Sequence, residues 1–439
     1  MKKSEKKTER SVSATLAAAT CALLGTTAAA PVDAQEEPKW DFNTSLLYYG
    51  EDEDRVQDAS FKSMVRRLFA DDRSLSLGLT VDALTGATPS GAIRQDAPQT
   101  FTRPSGNAAY TVPAGDLPLD DTFRDTRVAI TAGWQQPAGE MGLLSVGLSA
   151  SSEYDYLHTG LNASYAHDFN NRNTTVSAAL AFATDSIDPV GGAPSPLTAM
   201  LDVDDTSNRV GDQDKDVLDI VFGVTQVISK NLVVQANYSL SQSDGYLNNP
   251  YKVLSLVDGV TGDTLPRIPG PEGGPSGQYL FEARPDERTQ HSLFTQAKNY
   301  WNGNVIDASY RFMTDDWEID SHTLDLRYRW PLGATSYLEP HLRYYTQSEA
   351  EFYQLSLDSS QALPQFASSD YRLGNFDAIT AGVKFGWKTR NDNDMSIRVE
   401  WYQQSGTVPG AQLIGNQAAR DNYPDLNALI VQFSYRFSR

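Results

Sequence analysis

A single cysteine, Cys21, stands in the whole chain, so no disulfide can close within it and no thiolate zinc set can be assembled. Long apolar runs are also missing. A membrane helix needs ~20 consecutive apolar residues, and the longest small, apolar segment, Ser11 to Gly25, falls short. Basic residues are outnumbered, 36 Lys and Arg against 56 Asp and Glu, for a net charge of −20. Phosphate-backbone binding requires concentrated Lys and Arg, so no nucleic-acid partner is expected. No G-x-S-x-G elbow marks a serine nucleophile, and no H-E-x-x-H marks a zinc hydrolase.

The N-terminus reads as an export leader. Lys2, Lys3, Lys6, Lys7 and Arg10 form its basic start, Ser11 to Gly25 its apolar middle, and Val32-Asp33-Ala34 a small-residue cleavage site. The expected division is a signal peptide over 1–34, cleaved after Ala34, and one domain over 35–439. Cleavage there removes the only thiol and with it any cysteine nucleophile.

Beyond Gln35 the dominant pattern is alternation with period two, which places one face of a strand in an apolar phase and the other in a polar one. Leu75, Leu77, Leu79, Val81 and Ala83 alternate with Ser76, Gly78, Thr80 and Asp82; Ile379, Ala381, Val383, Phe385 and Trp387 alternate with Thr380, Gly382, Lys384 and Gly386. Strands are expected near 39–50, 60–70, 75–86, 123–136, 142–154, 155–169, 174–187, 216–229, 232–245, 288–301, 304–313, 317–330, 336–349, 376–389, 395–405 and 426–438. The second of these has the weakest pattern, because Lys62, Arg66 and Arg67 are read as interrupting its apolar face. Short connections rich in Asn, Asp and Gly, such as Asn302-Gly303-Asn304, suit tight hairpins because these residues tolerate positive φ. They alternate with connections that include several long ones, roughly 86–122, 188–215, 248–287, 351–375 and 407–423. Short periplasmic turns and long external loops alternate in this way in bacterial outer-membrane barrels. The expected fold is therefore an all-β, antiparallel, up-and-down transmembrane barrel of about sixteen strands. Its aromatics gather at strand ends, at Tyr48 and Tyr49, Trp134, Tyr300 and Trp301, Trp330, Tyr344 and Tyr345, Trp387, and Trp401 and Tyr402. Such residues suit the headgroup level of a bilayer. The final strand alternates Leu429, Val431, Phe433, Tyr435 and Phe437 and resembles the C-terminal signal of barrel assembly machinery, with Ser438 and Arg439 after it.

A barrel this wide normally holds water, so charges on the inward face are solvated rather than buried. The phasing sends Asp82, Arg127, Arg311, Asp325, Arg327, Arg329, Glu339, His341, Arg343, Lys384, Arg398 and Glu400 to the lumen. Opposite charges crowd the later strands, either bracing the wall or orienting a polar solute in a constriction. Asp315, Asp316, Glu318, Asp320 and His322 are expected on an acidic outer rim at a tight connection. Oxygen ligands and an imidazole can hold a divalent cation, but alternation sends neighbouring side chains to opposite faces, and no metal or cofactor is assigned. Asp202-Val203-Asp204-Asp205-Thr206-Ser207-Asn208 only partly follows a calcium loop, lacking its Gly and closing Glu. His291 and His341 are the histidines weighed as partners for a nucleophilic serine, and no catalytic residue is assigned.

Several strings carry a resemblance to a known family. They are Tyr310-Arg311-Phe312-Met313-Thr314-Asp315-Asp316-Trp317-Glu318-Ile319-Asp320-Ser321-His322-Thr323, then Arg343-Tyr344-Tyr345-Thr346-Gln347-Ser348-Glu349-Ala350-Glu351-Phe352-Tyr353, and Ser368-Ser369-Asp370-Tyr371-Arg372-Leu373. Asp82-Ala83-Leu84-Thr85-Gly86-Ala87-Thr88-Pro89 is similar to a fourth element of that family, with Thr88 in place of Ser, and Met313 replaces an expected Tyr. Together they resemble a family of Gram-negative outer-membrane barrels known only as a domain of unknown function. The resemblance implies fold and location and no settled activity. The first expected role is a pore for a small polar solute or ion, not an enzyme. The second is a structural or interaction barrel engaging a partner through its loops, and the third an outer-membrane hydrolase. Membrane lipid and the assembly machinery are the expected general partners.

Overall fold

The computed structural model describes residues 39–53 and 55–439. The expected leader and its cleavage after Ala34 lie outside the described residues. Sixteen antiparallel strands close into one barrel. They are β1 (Lys39–Glu51), β2 (Gln57–Leu68), β3 (Ser74–Pro89), β4 (Leu119–Pro137), β5 (Gly142–Ser152), β6 (Tyr156–Phe169), β7 (Thr174–Ile187) and β8 (Gln213–Ser229), followed by β9 (Leu232–Gly245), β10 (Glu287–Trp301), β11 (Asn304–Asp315), β12 (Asp320–Pro331), β13 (Ser336–Gln347), β14 (Phe376–Lys388), β15 (Asp394–Gly406) and β16 (Leu426–Ser438). Each pairs with its sequence neighbours, and β1 closes on β16 from Asp41 opposite Ser438 to Glu51 opposite Ala428. Closure leaves the barrel with no open edge, which a wall in lipid requires because no water is there to satisfy a free N–H or C=O. The strands have 11 to 19 residues, and ~9–11 residues suffice to cross a bilayer at a tilt.

The period-two rule sorts the side chains. Leu148, Leu161, Phe222, Leu324 and Leu342 point outward and are 52–63% exposed, while register places Asp82 opposite Arg127 and Asp325 opposite Arg343 on the inner face. The second strand is regular. Phe61, Val65 and Arg67 share the outer face with Leu46 and Trp40, whereas Lys62 and Arg66 turn to the lumen. Of the charges expected to spoil its apolar face, only Arg67 lies there. It sits at the turn end, with its guanidinium over the rings of Trp40 and Phe69. The aromatic doublets divide the same way, since adjacent residues cannot share a face. Tyr48, Trp301, Tyr344 and Trp401 face outward; Tyr49, Tyr300, Tyr345 and Tyr402 face the lumen.

Both barrel termini and seven of the short turns lie at one end. Asp72, Asn170, Asn302 and Asp392 hold positive φ there, and Asn302 (φ 49°) with Gly303 (φ 88°) makes a two-residue hairpin turn that matches the strand twist. At the other end three connections stay short, 52–56, 153–155 and 316–319, and five are long.

Candidate functional site: a charged lumen wall beneath a folded cap

Each of the twelve charges expected in the lumen lies on the inner face by strand register. Most sit on β11–β15. At mid-height His341 on β13 joins its neighbours: Nδ1 lies 2.7 Å from a Glu400 oxygen and Nε2 2.9 Å from an Asp325 oxygen. Glu400 belongs to β15 and must reach across β14 to do so. The inward residue it crosses is Gly382, where an added Cβ would lie 2.4 Å from Glu400 Cγ. A glycine thus permits a three-strand carboxylate–imidazole–carboxylate bridge.

Around the bridge, Arg327 lies 3.4 Å from Asp325 and Arg398 3.7 Å from Glu400. Toward the turn end, Arg329 donates to Glu339 at 2.8 Å and its guanidinium lies 4.1 Å from the Tyr337 ring centre, with the Lys384 ammonium 5.7 Å from the same ring. Arg343 lies opposite Asp325. This layer therefore sets Arg327, Arg329, Arg343, Lys384, Arg398 and His341 against Asp325, Glu339 and Glu400, a local basic excess inside an acidic chain. Arg311, nearby on β11, lies over Phe294, and Arg127 pairs with Asp82 at 2.6 Å on a different part of the wall. The opposing strands β5–β8 present small, mostly neutral residues inward, among them Gly147, Ser149, Gly160, Asn162, Ser177, Ala179, Ala181 and Gly223.

The long connections fold together over the loop end. Val253–Val257 forms the centre of a small sheet, antiparallel to Tyr279–Phe281 and parallel to Ser356–Asp358. Its Val253, Leu254 and Val257 are at most 1% exposed, as fits an apolar run buried on both faces. Ala92, Phe101 and Val112 from the β3–β4 connection pack with Met200 from β7–β8 and with Val253, Tyr279 and Phe281 from β9–β10. Ile93, Val257 and Leu355 join Val408, Leu413 and Ile414 from β15–β16. The cap also enters the mouth. Tyr371 and Tyr423 pack against Tyr345, Phe376, Ala378 and Tyr402, all lumen-facing strand residues.

Charges lock these loops. Glu282 and Arg284 come from the β9–β10 connection, Ser368, Asp370 and Arg372 from β13–β14, and all five sit in one cluster. Arg284 donates to Glu282 at 3.0 Å and to Asp370 at 2.9 Å, Arg372 Nε donates to Asp370 at 2.9 Å, and Ser368 donates to Glu282 at 2.5 Å. Asp370 also caps the 3₁₀ turn Tyr371–Leu373 by accepting from Arg372 N. Burial alone would raise the Asp370 carboxyl, but Arg372, with Lys252 and Arg284, holds it well below the ordinary carboxylate range.

Of the expected acidic rim, Asp316, Glu318 and Asp320 lie exposed at the connection, whereas Asp315 and His322 are placed elsewhere. Asp315 is buried on the inner face, pairs with Arg288 and accepts from the backbone N–H groups of Trp317 and Ile319. Those two apolar residues are 4% and 2% exposed and belong to the cap core, so the segment is drawn inward by hydrophobic burial. Asp316 accepts from Thr289 N, Glu318 takes positive φ in the turn, and Asp320 is exposed. His322 faces outward, its ring nitrogen 2.7 Å from the Tyr310 hydroxyl. Among the described residues no group of three or more His, Cys, Asp or Glu is placed to hold a metal ion. Asp202, in the calcium-like stretch, pairs with Arg267 instead. His291 also faces outward, 2.8 Å from Tyr238.

Sequence reading missed a second inner-wall constellation, Ser149, His158 and Asp185, because its members lie on β5, β6 and β7. Their inward parity was legible in the alternation; their register was not.

Comparisons with known proteins add family and resemblance. No curated protein matches the chain. Among solved structures, a bacterial polysaccharide outer membrane secretin is 9% identical with a TM-score of 0.44, covering 92% of this chain and 99% of that one. BamA from Haemophilus ducreyi lacking POTRA domains 1-3 is 9% identical with a TM-score of 0.42, over 92% of this chain and 71% of that one. The outer membrane protein opdK from Pseudomonas aeruginosa is 11% identical with a TM-score of 0.37, over 92% and 100%. Residues 13–437 match the family described as Protein of unknown function (DUF3570), and the chain belongs to it.

Proposed function

We propose that this protein is an outer-membrane pore for small anionic solutes, closed at rest by its folded external cap. In this reading residues 1–34 are a cleaved leader, 35–439 form the barrel, the tight turns face the periplasm, and the alternating last strand is read by the assembly machinery. The carrying observation is the basic excess at Arg327, Arg329, Arg343, Lys384, Arg398 and His341 on the inner wall of a chain whose net charge is −20. A cationic patch in a water-filled passage attracts anions and orients solutes carrying a carboxylate or phosphate. The packed loops supply the closed state, and their opening makes the passage continuous.

A specific feature also favours an interaction role. Val260 and Ile268, in the β9–β10 connection, are 83% and 93% exposed and offer apolar contacts on the cap surface. Planar-bilayer recording separates the two. The pore reading expects rare openings from the purified barrel, with a reversal potential displaced toward anions in a salt gradient. A silent barrel, with loops intact and with the cap loosened, contradicts it and leaves the interaction role.

A further inference from the structure

Below the cap, on the wall away from the basic layer, three side chains form a chain of hydrogen bonds. Ser149 Oγ lies 3.1 Å from His158 Nε2, and His158 Nδ1 lies 2.7 Å from Asp185 Oδ1. All three face the lumen: register sets His158 opposite Ser151 and opposite Asp185, with Ser149 one inward position along β5. Asp185 is fully buried at 0% exposure and is also held by the Lys215 ammonium at 2.7 Å and the Tyr156 hydroxyl at 2.5 Å. An ionised carboxylate only accepts hydrogen bonds, so His158 must carry its hydrogen on Nδ1. In the neutral imidazole Nε2 is then the acceptor for the proton of Ser149. We propose that Ser149, His158 and Asp185 are a nucleophile, general base and orienting acid that hydrolyse small acyl esters entering the lumen.

The arrangement is graded as such a device requires. Asp185 is sealed in the wall, the His158 side chain is 14% exposed and Ser149 is partly exposed. Wall bracing needs only Lys215 and Tyr156 to satisfy Asp185, whereas the His158–Ser149 arm carries the bond chain outward to a reactive hydroxyl. The space in front of that hydroxyl is kept clear by Gly160, where a Cβ would sit 2.7 Å from Ser149 Oγ and 3.2 Å from His158 Nε2. At the next inward position Asn162 lies over Gly147, its Nδ2 and Oδ1 2.8 and 2.9 Å from where a Cβ would be; in this proposal its amide N–H serves the developing oxyanion.

The chemistry balances with water alone. Ser149 Oγ bonds to the acyl carbon as His158 Nε2 takes its proton. The carbon–alkoxy bond breaks and the alcohol departs with that proton. Water then adds to the acyl-serine, again giving a proton to His158, and the carboxylic acid leaves as the proton returns to Ser149.

The test is covalent labelling of the full barrel, purified in detergent, with a fluorophosphonate–biotin probe, in wild type and in an Asp370→Ala variant that loosens the cap. The expected result is one adduct mapped to Ser149, absent in Ser149→Ala and at least about tenfold slower in His158→Asn, with p-nitrophenyl butyrate hydrolysis lost in parallel. Heat-modifiable migration reports folding, and Ser149→Cys, read by maleimide uptake, serves if the alanine variant fails to fold. A folded barrel left unlabelled at Ser149 in both backgrounds overturns the proposal, as does labelling or hydrolysis that Ser149→Ala leaves unchanged. The readout is independent of ion conduction and so stands or falls separately from the pore.

Discussion

Asp370→Ala is expected to turn a mostly silent barrel into one that conducts most of the time. Asp370 is 2% exposed and joins Arg284 of the β9–β10 connection to Arg372 of the β13–β14 connection. Removing it leaves Arg284 with Glu282 alone and takes the carboxylate from Arg372, whose side chain is 29% exposed, so a net positive charge remains in the cluster. Breaking a buried pair costs about 3–5 kcal/mol, and the Glu282 partner that Arg284 keeps puts this case at the low end. With that cost falling on the capped state, the open-to-closed ratio rises about a hundredfold, since every ~1.4 kcal/mol is tenfold. The measurement is open probability in planar bilayers, with native heat-modifiable migration confirming an intact barrel. Acid should act on the same carboxylate. Because its folded pKa is depressed, its contribution is complete above the unfolded value near ~4 and is lost as pH falls below it. The wild-type cap therefore holds at neutral pH and loosens only below about pH 4. Unchanged gating in the variant would remove Asp370 from the closing mechanism.

The second large effect is a reversal of ion preference. In the Asp370→Ala background, replacing Arg327 and Arg343 by Glu changes the charge of the layer by four units. One unit charge at ~6 Å in water acts with about 0.7 kcal/mol, and salt at ~0.1 M cuts that by about half. Four units shift a monovalent ion at this layer by about 1.4 kcal/mol, about tenfold, in opposite senses for anions and cations. The reversal potential in a salt gradient is thus expected to change sign. An unchanged potential would mean that the basic layer braces the wall and does not border the conducting path.

The barrel was legible because period-two patterning depends only on near neighbours. The segments read over 174–187 and 232–245 coincide with β7 and β9, and the inward parity of His341, Arg343 and Glu400 followed from phasing alone. The reading failed where residues bury against distant partners. The strand expected over 317–330 begins only at Asp320, because Trp317 and Ile319 pack in the cap. Lys62 and Arg66 interrupt the outer run of Phe61 and Val65 along the sequence, yet register turns both to the lumen. The cap itself was hidden, since contacts such as Ile93 N to Ser255 Oγ join residues 162 positions apart. The Ser149–His158–Asp185 chain required the register of two hairpins, and Gly382 gained its meaning only once Glu400 was seen to cross it.

Everything rests on the inner and outer faces of the wall being exchanged at every residue. The most direct measurement uses single-cysteine variants at four consecutive β13 positions, His341, Leu342, Arg343 and Tyr344, in a chain lacking Cys21, reconstituted in vesicles with reagent on both sides. Positions 341 and 343 should react with a membrane-impermeant maleimide, while fluorophores at 342 and 344 should be quenched by nitroxide-labelled lipid. Reactivity at 342 and 344 with lipid quenching at 341 and 343, or no alternation at all, would contradict the account.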